Sequence, residues 1–252
     1  MLAGFLVLAT HVPLGQLVLA RGIVFIDIAI AQVAALGVIA GHALLGGETH
    51  GLPAQACAAA AALLAAGFLA WTERRAGSAQ EAVIGVVYVV AASAQIVLLG
   101  FDPHGAEHLK DLLVGQILWV TRAELLPVAA LYALVLLALL WADLSRRRFL
   151  FYVVFALSIT ASVQLLGVLL VFASLIVPAL AASRAATKTR QLVVGYVTGV
   201  LGYVLGLAVS AVTDAPTGAA IVCALALVAG ATIILSPKSP SSVCAKTLNL
   251  NV

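Results

Sequence analysis

The chain has 252 residues, of which 64% are hydrophobic and 9% charged, with a mean hydropathy of +1.19. A soluble domain of this size does not have that composition, and there is no stretch polar enough to build one beside the apolar segments. The net charge of +3 belongs to short loops and does not describe a nucleic-acid surface.

In chain order the apolar runs are roughly 2–20, 23–46, 53–71, 80–100, 124–142, 149–165, 166–183, 192–212 and 217–235. Lipid offers no partner for backbone N–H and C=O groups, so each run is expected to be a helix. Threading the runs alternately across a bilayer puts eleven of the thirteen Lys and Arg residues on one side and leaves only Lys110 and Arg122 on the other. Loops facing the cytoplasm carry the excess of Lys and Arg. The expected fold is therefore all-α, a polytopic transmembrane helix bundle of about 8–9 spans, with the N-terminus outside and the C-terminus cytoplasmic. The segment 149–183 decides between eight and nine: its two halves are short against the ~20 residues a span needs, and a turn is expected near Gln164–Gly167. Residues 1–236 read as one transmembrane domain and 237–252 as a polar cytoplasmic tail, expected to be disordered. No signal peptide is expected, because Arg21 follows the first apolar run instead of preceding it. Cys57, Cys223 and Cys244 form no motif, and no disulfide framework is expected. GxxxG spacings at Gly37/Gly41, Gly195/Gly199 and Gly202/Gly206 read as close helix packing.

Ionisable and amide groups inside spans are costly, about 2.5–3.5 kcal/mol for a charge on insertion scales, so four positions need a reason. His11 lies mid-way along the first run, Asp27 and Gln32 lie in the second, and Glu81 opens the fourth. Counting from Arg21 at 1.5 Å per residue puts His11 and Gln32 both about 15 Å above the turn, and Asp27 about 9 Å above it. If the first two helices are neighbours, His11 and Gln32 meet at one depth. Imidazole suits zinc and oxygen ligands suit manganese, so the set fits a transient divalent cation. Each residue also has a plainer reading. His11 can satisfy the Ala9 carbonyl freed by Pro13, Asp27 can pair with Arg21, Gln32 can bond between helices, and Glu81 can sit favourably at a helix N-terminus. A second polar cluster, Glu48 and His50 with His42 beside them, then Asp102, His104, Glu107 and His108, reads as solvated outer loops or loose metal capture.

The chain has no Gly-Lys pair and hence no P-loop, so any ATP-driven step needs a separate ATPase. Pro178–Gln191, which is Ala-rich and carries Arg184, Lys188 and Arg190, offers that partner a docking loop.

Six stretches in order resemble the permease subunits of zinc/manganese ABC transporters. They are Pro13-Leu14-Gly15 with Val18–Arg21, Phe25–Gly37, Glu81–Gly85, Leu113–Leu118, Gln164–Leu170 with Leu175–Ala179, and Asp214–Ala219. The resemblance implies a homodimer in a bacterial inner membrane, a cytoplasmic ABC ATPase bound behind Pro178 and Ala179, and an outer metal-binding protein. It implies no enzymatic activity and no cofactor in this chain; the metal would be cargo. Where the family places Asp and His four apart, this chain has Ile28 and Gln32, with the acid at Asp27. His11 at matched depth is the expected replacement. The alternatives are a siderophore or cobalamin permease and a proton-coupled secondary carrier.

Overall fold

The computed structural model describes residues 2–45, 52–100, 122–142, 144 and 147–235. Among them the chain is entirely helical. The helices are α1 (Leu2–Arg21), α2 (Ile26–Leu45), α3 (Leu52–Ala76), α4 (Gln80–Leu99), α5 (Arg122–Trp141), α6 (Arg148–Leu166), α7 (Val168–Ala182), α8 (Lys188–Thr213) and α9 (Thr217–Leu235). These nine match the nine apolar runs. Six are long and apolar enough to cross a membrane; the apolar parts of α2, α5 and α7 are shorter.

The long apolar stretch divides at Gly167. Its φ of 77° and ψ of 161° lie in a region that essentially only glycine occupies. The break reverses the chain. Ser162 on α6 touches His11 of α1. Were α6 and α7 one rod, Leu175 would stand about 20 Å beyond Ser162. Instead, a Cβ built on Gly15, four residues on the Arg21 side of His11, would clash with the Leu175 carbonyl oxygen. Gly167 keeps its backbone bonded through the turn: its N–H donates to the Val163 carbonyl (2.8 Å) and its carbonyl accepts from the Val171 N–H (3.2 Å). It is also buried, as irregular backbone at membrane depth must be. The 15 residues of α7 rise about 22 Å, against about 30 Å of hydrocarbon.

Small residues set the helix contacts, as their spacing predicted. A Cβ on Gly195 would meet Val12, and one on Gly199 would meet Leu8, each at 2.8 Å, on α1. Two turns later the same helix presents Gly202 and Gly206 to Leu225 and Ile221 of α9, where an added Cβ would clash. A Cβ on Gly37 would meet Ala61 and the Cys57 carbonyl of α3, each at 2.7 Å. These approaches order the bundle: α8 packs between α1 and α9, α2 packs on α3 and α4, and α6 and α7 each pack on both α1 and α2. Two thirds of the apolar window of α6 is buried, whereas α4 and α9 turn most of theirs outward. Exposed apolar side chains on the outer helices are the surface a bilayer requires.

Candidate functional site

The site begins at the end of α1. Gly22 takes a left-handed φ of 69°, its N–H bonds to the Leu19 carbonyl (3.2 Å), and the Ile23 N–H bonds to the Val18 carbonyl (3.4 Å). This pair of bonds is the glycine-dependent helix stop, and Val18 and Ile23, both buried, close it with an apolar contact. The chain turns within four residues and α2 starts. Arg21 is thereby fixed at the turn. Its Nη2 donates to the Leu144 carbonyl (2.7 Å), Nη1 lies 3.6 Å from Glu73 Oε1, and the guanidinium stacks 4.2 Å from the Phe151 ring centroid.

Asp27 enters the bundle from the first turn of α2 and is 1% exposed. Neither carboxylate oxygen has a hydrogen-bond partner among the described residues. Arg21, the partner proposed for it from sequence, holds Glu73. Glu81, in the first turn of α4, accepts a hydrogen bond at Oε1 from the Phe25 N–H (3.1 Å), and its Oε2 is buried without a donor. Glu81 thus caps α2 as well as starting α4, and it places a second acid near Asp27.

Gln32 lies one and a half turns farther along α2 and pairs with Gln95 of α4. The Gln95 Nε2 donates to both the Gln32 side-chain oxygen (2.6 Å) and its backbone carbonyl (2.7 Å). The two amides are 6% and 1% exposed. Gln95 was missed in the sequence, although an amide in an apolar helix carries the same cost that singled out Gln32.

His11 belongs to another neighbourhood. Its Nδ1 lies 3.0 Å from the Val7 carbonyl and 3.1 Å from Thr10 Oγ1, and its Nε2 lies 3.1 Å from Ser162 Oγ. A carbonyl only accepts, so Nδ1 carries a proton. Ser162 in turn bonds Tyr132 of α5 and the Ser158 carbonyl. The Ala9 carbonyl freed by Pro13 is taken by the Tyr196 hydroxyl (2.9 Å), not by His11. The main packing partners of α1 are α7 and α8, and those of α2 are α3 and α4. His11 and Gln32, expected at one depth, bond different partners.

The expected docking loop joins the end of α7 to the start of α8. Pro178 and Ala179 are buried inside α7, one turn before its end. Ser183–Thr187 is a turn, and Thr187 caps α8 by accepting the Arg190 N–H at Oγ1 (3.3 Å). Arg184 and Lys188 therefore lie on opposite sides of a helix start and do not share a helix face. Arg184, Lys188 and Arg190 are exposed, and Arg184 also donates to the Ile233 carbonyl at the end of α9 (2.9 Å). His42 is exposed on α2. Glu48, His50, Asp102, His104, Glu107 and His108, the stretch Leu113–Leu118 and the tail 237–252 lie outside the described residues. Among the described residues no three His, Cys, Asp or Glu side chains converge into a closed metal cage.

Nine apolar helices among the described residues, six of them long enough to span a bilayer, define a multi-pass membrane protein. The profile of the ABC 3 transport family matches residues 1–145 and 142–236. The chain belongs to that family, the membrane permeases of metal-ion ABC transporters, and is a multi-pass protein of the bacterial inner membrane. It is 25% identical over 198 residues to the probable iron transport system membrane protein of Haemophilus influenzae, a match covering 71% of this chain and 70% of that protein. Its fold is similar to that of PsaBC from Streptococcus pneumoniae, solved in complex with a Fab. The TM-score is 0.72 at 21% identity, over 97% of this chain and 92% of the other.

Proposed function

We propose that this chain is the translocation subunit of an ATP-driven importer of divalent metal ions, zinc or manganese. Its N-terminus faces outward and its C-terminus the cytoplasm. A homodimer works with a cytoplasmic ABC ATPase and an outer metal-binding protein. The cation passes by Asp27, Gln32 and Glu81. His11 is the fourth member by depth, although its ring is already engaged by Val7, Thr10 and Ser162. Arg184, Lys188 and Arg190, with Pro178 and Ala179 behind them, transmit the motion of the ATPase. The observation that carries the proposal is the Asp27 carboxylate, 1% exposed with neither oxygen partnered. A buried charge without a partner costs several kcal/mol, and a passing cation supplies the missing partner. Because Asp27, Glu81 and Gln32 offer only oxygen, manganese fits them better than zinc. The few ligands suit passage, which needs weak binding. Iron is the second reading, supported by the name of the Haemophilus relative.

The test is total zinc, manganese and iron in cells grown under chelator limitation, with the transporter, without it, and with Asp27→Asn. Loss of one metal on deletion, repeated in Asp27→Asn, is the expected result. No change in any metal on deletion would transfer the cargo to an organic chelate.

A further inference from the structure

Glu73 and Gln80 stand beside the proposed path, and the reading above gives them no part in it. Gly37 of α2 faces Ala58 and Ala61 of α3, so these helices run antiparallel and Asp27 stands roughly level with Leu69. Glu73 then lies about 5–6 Å nearer the Arg21 end. It continues the buried stripe Ala58, Ala62, Ala66, Leu69, so its carboxylate points into the bundle. Oε1 faces Arg21 at 3.6 Å, and Oε2 is buried without a donor. Gln80 is 4% exposed. Its Nε2 donates to the Leu69 carbonyl (3.0 Å) and the Tyr152 hydroxyl (3.4 Å), and its Oε1 is buried and unpartnered. The Leu69 carbonyl is one turn from Glu73, which places the Gln80 amide in the same cluster. Counting Asp27 and Glu81, five buried acceptor oxygens from three adjoining helix ends lack donors among the described residues. A region short of donors, and not merely rich in acids, is one that a cation relieves.

We propose that Glu73 and Gln80 form a second, oxygen-only station for the divalent cation on the release side of Asp27, kept shut by Arg21. The inference rests on the pathway reading above. In the closed arrangement the guanidinium occupies the ground that a cation leaving Asp27 must cross, and it both repels that cation and holds Glu73. Separation of the α1 and α3 ends moves Arg21 away and frees Glu73 Oε1 to join Oε2 and the Gln80 oxygen. Carboxylate and amide oxygens with water complete a weak shell for a hard cation such as manganese. The plainer role for Arg21 and Glu73 is a scaffold, because Arg21 also ties Leu144 and Phe151.

The experiment is the initial uptake rate of manganese(II), zinc(II) and iron(II) by cells carrying the whole transporter, normalised to permease in the membrane. Glu73→Gln is expected to lower the rate of the accumulated metal at least tenfold, and Glu73→Asp to keep most of it. The double variant Arg21→Gln with Glu73→Gln removes both charges together. Arg21→Gln alone measures what loss of the Leu144 and Phe151 contacts costs. A lone ion pair is repaired by the double change and a cation station is not, so the double variant is expected to stay as slow as Glu73→Gln and slower than Arg21→Gln. Recovery of uptake in the double variant, or normal uptake in Glu73→Gln, overturns the inference. If the double variant fails to reach the membrane, the contrast between Glu73→Gln and Glu73→Asp decides alone, and equal rates reject the station. Normal uptake in Asp27→Asn would remove the pathway reading itself, whatever Glu73 does.

Discussion

Two buried polar regions face each other across α6, and they are built on opposite principles. Around His11, every ring nitrogen has a partner, and Thr10, Ser162 and Tyr132 bond one another or a helical carbonyl. Around Asp27, acceptors accumulate and donors are missing. A satisfied network in a low-dielectric interior rigidifies the helices that share it. An unsatisfied one raises the free energy of the folded chain, and it persists where something other than the chain completes it. By that criterion the network around His11 is frame and the Asp27 side, where the unpartnered carboxylate oxygens gather, is passage. Gln16 Nε2 on α1 and the Ser158 and Thr160 hydroxyls on α6 are also buried without partners among the described residues, but no carboxylate lies among them.

Asp27→Asn separates the two regions most widely. It removes the charge while keeping the shape, so uptake is expected to fall by about tenfold or more, the size of effect that loss of a metal-site group produces. Stability should move the other way, because a neutral amide is cheaper to bury than an unpaired carboxylate. Thermal unfolding of the purified permease in detergent, beside uptake in cells, checks both. A stability loss equal to that of a core variant would place Asp27 in the frame.

His11→Ala is the complementary change. It leaves Ser162 and Thr10 with fewer partners and a void beside Tyr132, with an expected cost of about 1–3 kcal/mol. Uptake per molecule should fall less than in Asp27→Asn. A loss of uptake as deep as that of Asp27→Asn, at unchanged stability, would return His11 to the cation path.

Gly167→Ala tests the reversal on which both regions depend. Alanine at this φ and ψ costs about 1–3 kcal/mol of strain, and it would misplace Ser162 against His11 and α7 against α1. Lower abundance in the membrane is the expected readout; wild-type abundance would mean that α6 and α7 tolerate a different joint.

Much of this was legible in the sequence, for reasons that also mark the limit. Helix number follows from the lengths of the apolar runs, and the reversal at Gly167 from the fact that 149–183 is too long for one span and short for two. The glycine pairs pointed to close packing, and α8 uses its two pairs on different neighbours. Counting from Arg21 gives an expected height along a helix but not a direction around its axis. His11 and Gln32 have the same expected height, yet α6 and α7 pack on both α1 and α2, and each residue turns to a different partner. Those partners, Ser162 and Gln95, are 151 and 63 positions away in the chain, and no local pattern announces them. The hydroxyl of Tyr196 on the Ala9 carbonyl was hidden in the same way. The local shape of the loop that carries Arg184 and Lys188 was not legible either: Thr187 starts a helix between the two cations.

The smallest effect probes whether the His11 network is frame throughout. Tyr132→Phe deletes one hydroxyl from the bond to Ser162 and leaves the ring in place. Hydrogen bonds between membrane helices average about 0.6 kcal/mol, so the melting temperature should drop by only a degree or two and uptake should hold. Ser162 keeps His11 and the Ser158 carbonyl, so no buried group is orphaned. A Tyr132→Phe variant that transports poorly at normal stability would show that this hydroxyl does more than tie α5 to α6, and the division between frame and passage would have to be redrawn along α5.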